Sequence, residues 1–331
     1  METRKVQVTG GSTYTVSLPK QWAKANDVSA GSIVQFYAEE DALLLSPKSE
    51  TERLEGRLDV TGLEDDQLTR GVMTMYVSGF DIITLETPRI SAAQRRTIRE
   101  ATQGLVGLEV IEETSERVVL QDLLDSSELS VHNAITRMRL VSLTMLADAV
   151  TALVENDEDL AHDVIERDDD VDRLWFMISR VFRTVLRDPM AATDIGLPRE
   201  TVFDYQSSAR QLERIADHGA KIAGLSLDLD EVPERAAEQL QSLHEVATTI
   251  PKTAMDALLT EDADEAVAQA NRALEDVERI DAEAREADKV VRELDPQQAQ
   301  LLGRVVDSLS RTADYGGNVA ENALQRAAPS P

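Results

Sequence analysis

RQLERIADHGAKIAG (residues 210–224) and DSLSRTADYGGNVAE (residues 307–321) are one helical segment written twice. Aligned without gaps, Leu212/Leu309, Arg214/Arg311, Ala216/Ala313, Asp217/Asp314, Gly219/Gly316 and Ala223/Ala320 are identical, and Ile222/Val319 is conservative. A duplicated segment constrains architecture before local propensity does, because each copy implies the same supersecondary unit. The first copy carries Glu213 and Asp217 four residues apart. A helix places both carboxylates on one face.

Around the repeat, residues 130–326 are helical throughout. Apolar residues recur at three- and four-residue steps in six runs, from HNAITRMRLVSLTMLADAVTALVE to PQQAQLLGRVVDSLSRTADYGGNVAENALQ. The runs fall into two sets of three, predicting one bundle over 130–228 and another over 232–326. The connection RDPMAATDIGLPRE in the first set shrinks to LDPQQ in the second, and the longer one reads as a loop.

The acids follow the repeat. VIERDDDVDRL (164–174) pairs with LERIADHGAKI (212–222), and ALEDVERIDAE (273–283) with LSRTADYGGNV (309–319). On these residues the helical half resembles the PhoU family of phosphate-uptake regulators, built of two three-helix bundles, over essentially all of 132–326. The resemblance implies that acidic motifs on neighbouring helices hold metal ions such as iron, zinc or magnesium. In the first copy the candidates are Asp168, Asp172, Glu213 and Asp217. Carboxylates crowded on one face repel unless they protonate or share cations. The second copy departs from the pattern: Ser310 stands in place of Glu213 and Val277 in place of Asp168, leaving Asp281 and Asp314. Site one is therefore expected to be the stronger. In so acidic a chain such pairs also arise by chance, so a solvated face is the competing reading. His218 follows Asp217, but Tyr315 takes its place in the second copy, so His218 reads as a half-buried neighbour. Trp175, Phe176 and Met177 read as core.

Residues 1–48 read differently. VQVTG and TYTVSLP are strands around Gly10-Gly11-Ser12, PKQWAKAN is a short helix, and IVQFYAEEDALLLSP is a hairpin turning at Glu39-Glu40-Asp41. The order strand–SLPK–helix–VSAGSIV–strand pair resembles the SpoVT/AbrB (MazE-like) swapped-hairpin DNA-binding domains. The resemblance implies that two chains interleave into one small β-barrel, hence a homodimer. Through Asn26 the only acid is Glu2, against Arg4, Lys5, Lys20 and Lys24. A local cationic patch is the footprint of phosphate-backbone contact. Domains of this kind read DNA with the first strands and loop, which makes Arg4, Lys5, Gln7, Thr9, Ser12, Thr13 and Lys20 the candidates. A pure dimerisation module is the alternative.

Between these parts, residues 50–127 alternate as βαβαββ, a small α/β domain. They carry no Gly-rich phosphate loop and no nucleophile–base pair. A spacer, a dimerisation domain and a small-ligand sensor all remain open. Ser127 and Ser130 bracket the join to the helices.

Composition bounds the rest. The 331 residues carry a net charge of -28, and of 34 basic side chains only Lys5, Lys20, Lys24, Lys48, Lys221, Lys252 and Lys289 are lysines. Acid excess, scarce lysine and no cysteine look like adaptation to molar salt, as in a haloarchaeal cytoplasm, and an ordinary acidic protein is the alternative. The absence of cysteine excludes disulfides, thiolate zinc sites and cysteine nucleophiles. No run approaches a membrane span and no signal segment precedes the first strand, so a cytoplasmic protein without membrane insertion is expected. Aromatic content of 4% argues against stacking platforms for single strands. The expectation is a multidomain regulator without enzymatic activity. It acts on DNA, on the ATPase subunit of a phosphate ABC transporter and on a sensor kinase. An adaptor that only contacts the transporter or kinase is the second reading. A carboxylate-bridged metalloenzyme is the third, and the helical half has no Glu-x-x-His motif for it.

Overall fold

The computed structural model describes residues 3–39, 42–47, 53–124 and 130–329. The chain divides into two compact units, residues 1–53 and 54–331.

In the first unit β1 (Gln7–Thr9) pairs antiparallel with β2 (Thr13–Thr15). Gly10 and Gly11 make the turn at φ of 66° and 83°, a region that only glycine enters freely. Helix α1 (Lys20–Ala25) follows Pro19. Then β3 (Val34–Glu39) pairs antiparallel with β4 (Ala42–Pro47). Glu40 and Asp41 of the expected turn lie outside the described residues. The hairpins form separate two-stranded sheets, and no closed barrel exists among the described residues. No side chain described between residues 3 and 47 is buried. Tyr14 is 77% and Ile33 66% exposed.

The second unit opens with the expected α/β order: β5 (Glu55–Asp59), α2 (Asp65–Val77), β6 (Ile82–Glu86), α3 (Ala92–Gln103), β7 (Leu108–Glu113) and β8 (Arg117–Asp122). The sheet order is β5-β6-β8-β7, with β5 and β6 parallel and the other pairs antiparallel. Ile83, Leu85, Val118 and Leu120 turn to one face and pack with Leu68, Val72, Tyr76 and Ile98 of the two helices. Ser91 caps α3 in a capping box with Gln94, satisfying two donors at the helix start. The Gln94 amide also donates to the carbonyls of Val60 and Leu63, each at 3.0 Å.

The helical half contains α4 (Val131–Glu155), α5 (Glu158–Arg187), α6 (Pro189–Ile195), α7 (Arg199–Ser226), α8 (Glu234–Leu259), α9 (Ala263–Val291) and α10 (Pro296–Ala327). Helix α6 corrects the sequence reading of its segment as a loop. Asp188 caps it by accepting from the Met190 N–H, Pro189 takes its first position, and Gly196 ends it at φ 75°. These local signals suffice for two turns without any apolar period. Ser127 lies outside the described residues, and Ser130 caps α4.

Both bundles share one continuous core. The repeat has a structural counterpart in its glycines. A Cβ on Gly219 would lie 3.3 Å from the backbone of Leu146 on α4, and one on Gly316 would lie 2.7 Å from the backbone of Pro251 on α8. The third helix of each bundle therefore crosses the first at a glycine. The two third helices also meet each other at equivalent positions. The rings of His218 and Tyr315 lie 5.6 Å apart.

The middle domain is held to α5 by Arg180, which is buried. Its guanidinium donates to the carbonyls of Tyr76 and Phe80 at 2.8 and 2.9 Å and pairs with Asp81 at 2.8 Å and Asp122 at 2.9 Å. It also lies over the Tyr76 ring. Of the three residues read as core, Met177 is buried in the bundle, whereas Phe176 packs against the middle-domain core. Trp175 is half-buried beneath the Arg210 guanidinium.

Replacing Arg180 with alanine leaves two carboxylates and two carbonyls short of a partner, at a cost of about 3–5 kcal/mol. The exposed pair Arg235–Glu293, 2.8 Å apart, sets the contrast, since Arg235→Ala costs about 0–1 kcal/mol. Urea unfolding of the two variants separates these values, and equal losses would refute the Arg180 node.

Candidate functional site

The duplicated acids sit where the third helix of each bundle meets the second. In bundle one, α5 contributes Asp168 and Asp172, and α7 contributes Glu213 and Asp217. The four share one electrostatic field. Burial and then the charges of Asp217 and Asp172 push Asp168 up to about 7. Burial and then Asp217 push Asp172 up to about 6. Glu213, only 7% exposed, is pushed up to about 7 by burial and then by Asp217, although Arg210 pulls the other way. Asp217 is raised by the packing on its inner side, against Arg210 and Arg214, while its outer side reaches solvent. Burial outweighs the ion pair at Glu213 because the Arg210 guanidinium is itself partly exposed, and solvent screens exposed pairs.

Arg210 donates to Glu213 Oε1 at 2.6 Å. Glu213 Oε2 is buried and has no hydrogen-bond partner. That orphaned oxygen, beside three acids whose charged forms are disfavoured chiefly by burial, fits a cation as its missing partner. Among the described residues, no three His, Asp or Glu side chains have their donors gathered about one point. The acids share a field without forming a coordination sphere, and side-chain rotation would have to close it.

Bundle two differs as its sequence does. Asp281 on α9 and Asp314 on α10 are both exposed. Asp314 pairs with Arg311 at 3.5 Å. Asp281 lines a cavity of about 280 Å³ with Arg285, Asp288 and Asp307, and Asp314 is not in that lining. That cavity thus lies away from the charge crowding, and the crowding is the better guide to chemistry. His218 turns toward the other bundle, its Nε2 3.5 Å from the Tyr315 hydroxyl, in keeping with a half-buried neighbour.

A second buried acid escaped sequence reasoning. Asp204 on α7 is buried and pushed up to about 6, with Arg326 opposing the effect of burial. The Arg326 guanidinium stacks over Tyr205 and donates to the Leu258 carbonyl, and the Tyr205 hydroxyl meets His132 Nδ1 at 3.2 Å. A lone Asp in an acidic chain carries no signal of burial.

The N-terminal candidates are all exposed. Register pairs Gln7 with Thr15, Val8 with Tyr14 and Thr9 with Thr13. Alternation then puts Gln7, Thr9, Thr13 and Thr15 on one face and Val8 and Tyr14 on the other. The Thr9 and Thr15 hydroxyls lie 3.2 Å apart. Ser12 sits in the turn, Lys20 opens α1, and Arg4 and Lys5 precede β1. Thr15 shares the face of Gln7, Thr9 and Thr13, and the alternation of TYT could have placed it there.

Residues 135–225 match the family model of the PhoU domain. Residues 7–53 match that of the antidote-toxin recognition MazE, bacterial antitoxin. The phosphate-specific transport system accessory protein PhoU homolog of Pseudomonas putida is 30% identical over 188 residues, 53% of this chain and 68% of that protein. Its counterpart in Pseudomonas aeruginosa is 29% identical over 188 residues, 53% and 72% of the two chains. The crystal structure of PhoU from Pseudomonas aeruginosa matches with a TM-score of 0.51 at 24% identity, covering 61% of this chain and 98% of that one. The structural likeness shows that the fold of the helical half is shared.

Two predictions follow from the acid cluster. The folded-state pKa values of Asp168, Asp172 and Glu213 lie above those of the unfolded chain, so the folded state binds more protons between about pH 4 and 7. Metal-free protein therefore loses stability as pH rises through that window. Urea midpoints between pH 4.5 and 7.5 should fall, and Glu213→Gln should flatten the slope. A flat wild-type profile would refute the coupling. Asp217→Asn should strip most metal from protein loaded with iron or zinc, as read by elemental analysis after gel filtration. Unchanged stoichiometry removes Asp217 from any site.

Proposed function

We propose, on the premise that this chain belongs to the PhoU family, that it is a regulator of phosphate uptake whose N-terminal unit binds DNA as a homodimer. The first part is supported by the relatives, accessory proteins of the phosphate-specific transport system. The observation that carries the second part is the two-faced hairpin. A two-stranded β-ribbon with Gln7, Thr9, Thr13 and Thr15 along one face fits a major groove, where hydroxyl and amide side chains read base edges. Arg4, Lys5 and Lys20 supply phosphate contacts beside it. The opposite face, with Val8 and Tyr14, faces a second copy.

The need for that second copy is energetic. Val6, Val16, Ile33, Phe36 and Leu43 are also exposed, and no described side chain of the unit is buried. A chain segment of this size without a core does not hold a fold alone. The match to a MazE-type domain supports the same assembly, a barrel completed by two chains.

In this reading the helical half contacts the ATPase subunit of the phosphate transporter, and a sensor kinase is a further partner. Asp168, Asp172, Glu213 and Asp217 would hold a divalent or trivalent cation. When bound, the cation supplies the positive charge that lets all four ionise together. Arg210 orients Glu213 through Oε1 and leaves Oε2 for the ion. The second reading, an adaptor acting on the transporter by contact, draws on the PhoU domain match lying wholly in the helical half. There the N-terminal unit only dimerises.

Fluorescence anisotropy of the intact dimer in molar KCl decides between them, with DNA upstream of its own gene cluster and a scrambled control. Arg4→Ala/Lys5→Ala should weaken binding to both DNAs. Thr9→Ala/Thr13→Ala should cut discrimination by about tenfold or more, the worth of a lost base contact. A folded dimer that binds neither DNA refutes the regulator reading in favour of the adaptor.

A further inference from the structure

The acid cluster of bundle one already holds a cation of its own. Among the described residues, Arg210 is the one residue that makes an ion pair with any of Asp168, Asp172, Glu213 and Asp217. Its Nη1 donates to Glu213 Oε1 at 2.6 Å, and its charge favours the ionised forms of Asp172, Glu213 and Asp217. The charge of Arg214 also reaches Glu213 and Asp217, but its guanidinium lies over Tyr315 on α10. The Arg210 guanidinium lies over the indole of Trp175 on α5, 5.3 Å from the ring centroid. A guanidinium is attracted to the face of an indole. Arg210 therefore has two holds, one on the carboxylate and one on the ring, and 41% of its side chain still reaches solvent.

The second copy of the repeat lacks all three parts. In the register that aligns Asp217 with Asp314 and Asp172 with Asp281, Asp307 stands in place of Arg210, Ser310 in place of Glu213 and Ala284 in place of Trp175. Asp307 and Ala284 both line the cavity of about 280 Å³ in bundle two. The duplicated fold thus presents the same place twice, once filled by an arginine and a tryptophan and once open without them. Joint replacement fits three side chains that work as one.

We propose that Arg210 is the internal counter-ion of the empty site, that it releases Glu213 when a metal cation enters, and that Trp175 registers the exchange. The inference rests on the cation reading above. Glu213 has one oxygen on Arg210 and one buried without a partner. A cation at Oε2 and a guanidinium at Oε1 would share one carboxylate, and like charges that close repel strongly where solvent is partly excluded. Arg210 is the member that can yield, because it is partly exposed, whereas Glu213 is buried. An internal counter-ion also accounts for the open arrangement of the donors. Arg210 holds Glu213 through Oε1, so the acids share a field without gathering about one point. Once Arg210 lets go, its charge leaves the indole face and the surroundings of Trp175 change.

Trp22 and Trp175 are the only tryptophans of the chain, so Trp22→Phe leaves one reporter. The experiment titrates zinc into the metal-stripped full-length protein of this background, in molar KCl to screen weak binding by the other acids. Zinc is redox-inert with a filled d shell, so a change in emission reads the surroundings of Trp175 and not quenching by the ion. Zinc at the site is the amount lost on adding Asp217→Asn. The emission of Trp175 should shift in step with that zinc. Arg210→Met keeps the length of the side chain and removes its charge. It should bind the same zinc about tenfold or more tighter, the scale of one like charge removed at contact range, and its emission should respond far less. Arg210→Lys restores the charge and should return the affinity toward the parent value. Zinc at the site with Trp175 silent overturns the displacement and leaves the cation site standing. So does an Arg210→Met variant that binds no tighter, or Met and Lys variants that tighten alike. Equal zinc in the parent and in Asp217→Asn overturns the cation site and the displacement with it.

Discussion

Two glycines, one per repeat, fix how the helical half assembles. At Gly219 and Gly316 the third helix of each bundle approaches the first so closely that a methyl group would press on backbone. Backbone does not yield as a flexible side chain would. With that crossing set, the second helix of each bundle can reach the third only along its remaining side. This is the side that carries Asp217 and Asp314. The crossing also leaves α7 and α10 facing each other, with His218 against Tyr315 and Asn318 hydrogen-bonded to Gln211 at 3.1 Å. The acid pattern and the contact between bundles are consequences of one duplicated packing constraint.

From the same helix pair comes the link to the middle domain. Helix α5 carries Asp168 and Asp172 near its centre and Arg180 two turns further on, about 12 Å along the axis. Arg180 is buried among two carboxylates, two carbonyls and an aromatic ring. A buried guanidinium is tolerated only when its donors are satisfied with good geometry. The middle domain therefore belongs to the same compact unit as the bundles, although its architecture changes abruptly at the join. Proximity along α5 is not itself coupling, which requires an element with two arrangements.

Much of this was legible in the sequence, and for a physical reason. Helices and strands with one buried face write their period into the chain, so the βαβαββ order and the six long helices could be read directly. Caps such as Ser91 and Ser130 marked starts because their hydroxyls replace missing backbone partners. The repeat located the acid cluster because duplication preserved register at Asp172/Asp281 and Asp217/Asp314. Long-range polar contacts leave no such trace. Arg180 meets Asp81 across 99 residues, and its only sequence mark is the seven-residue spacing of Arg173, Arg180 and Arg187 along α5. Asp204 is one acid among 62, and nothing local distinguishes a buried one. Helix α6 was hidden because it is capped at both ends but has no apolar stripe.

The net charge of -28 bears on the proposed DNA contact in a way the patch alone does not. An ordinary DNA-binding protein loses affinity as salt rises, because salt opposes counterion release from the phosphates. In the proposed contact the basic residues before Asn26 would act at hydrogen-bond range, while most of the acids belong by sequence to the second unit. At low ionic strength, where the Debye length is tens of ångströms, those acids would add to a field that repels DNA. At molar salt it shrinks to about 3 Å, and only the local patch and the hairpin face remain visible to the nucleic acid. Salt would then remove a repulsion and an attraction together, and the proposed hydroxyl and amide contacts to base edges would carry the larger share of binding. A hairpin face of glutamine and threonines, rather than a run of lysines, is the composition that such a regime favours.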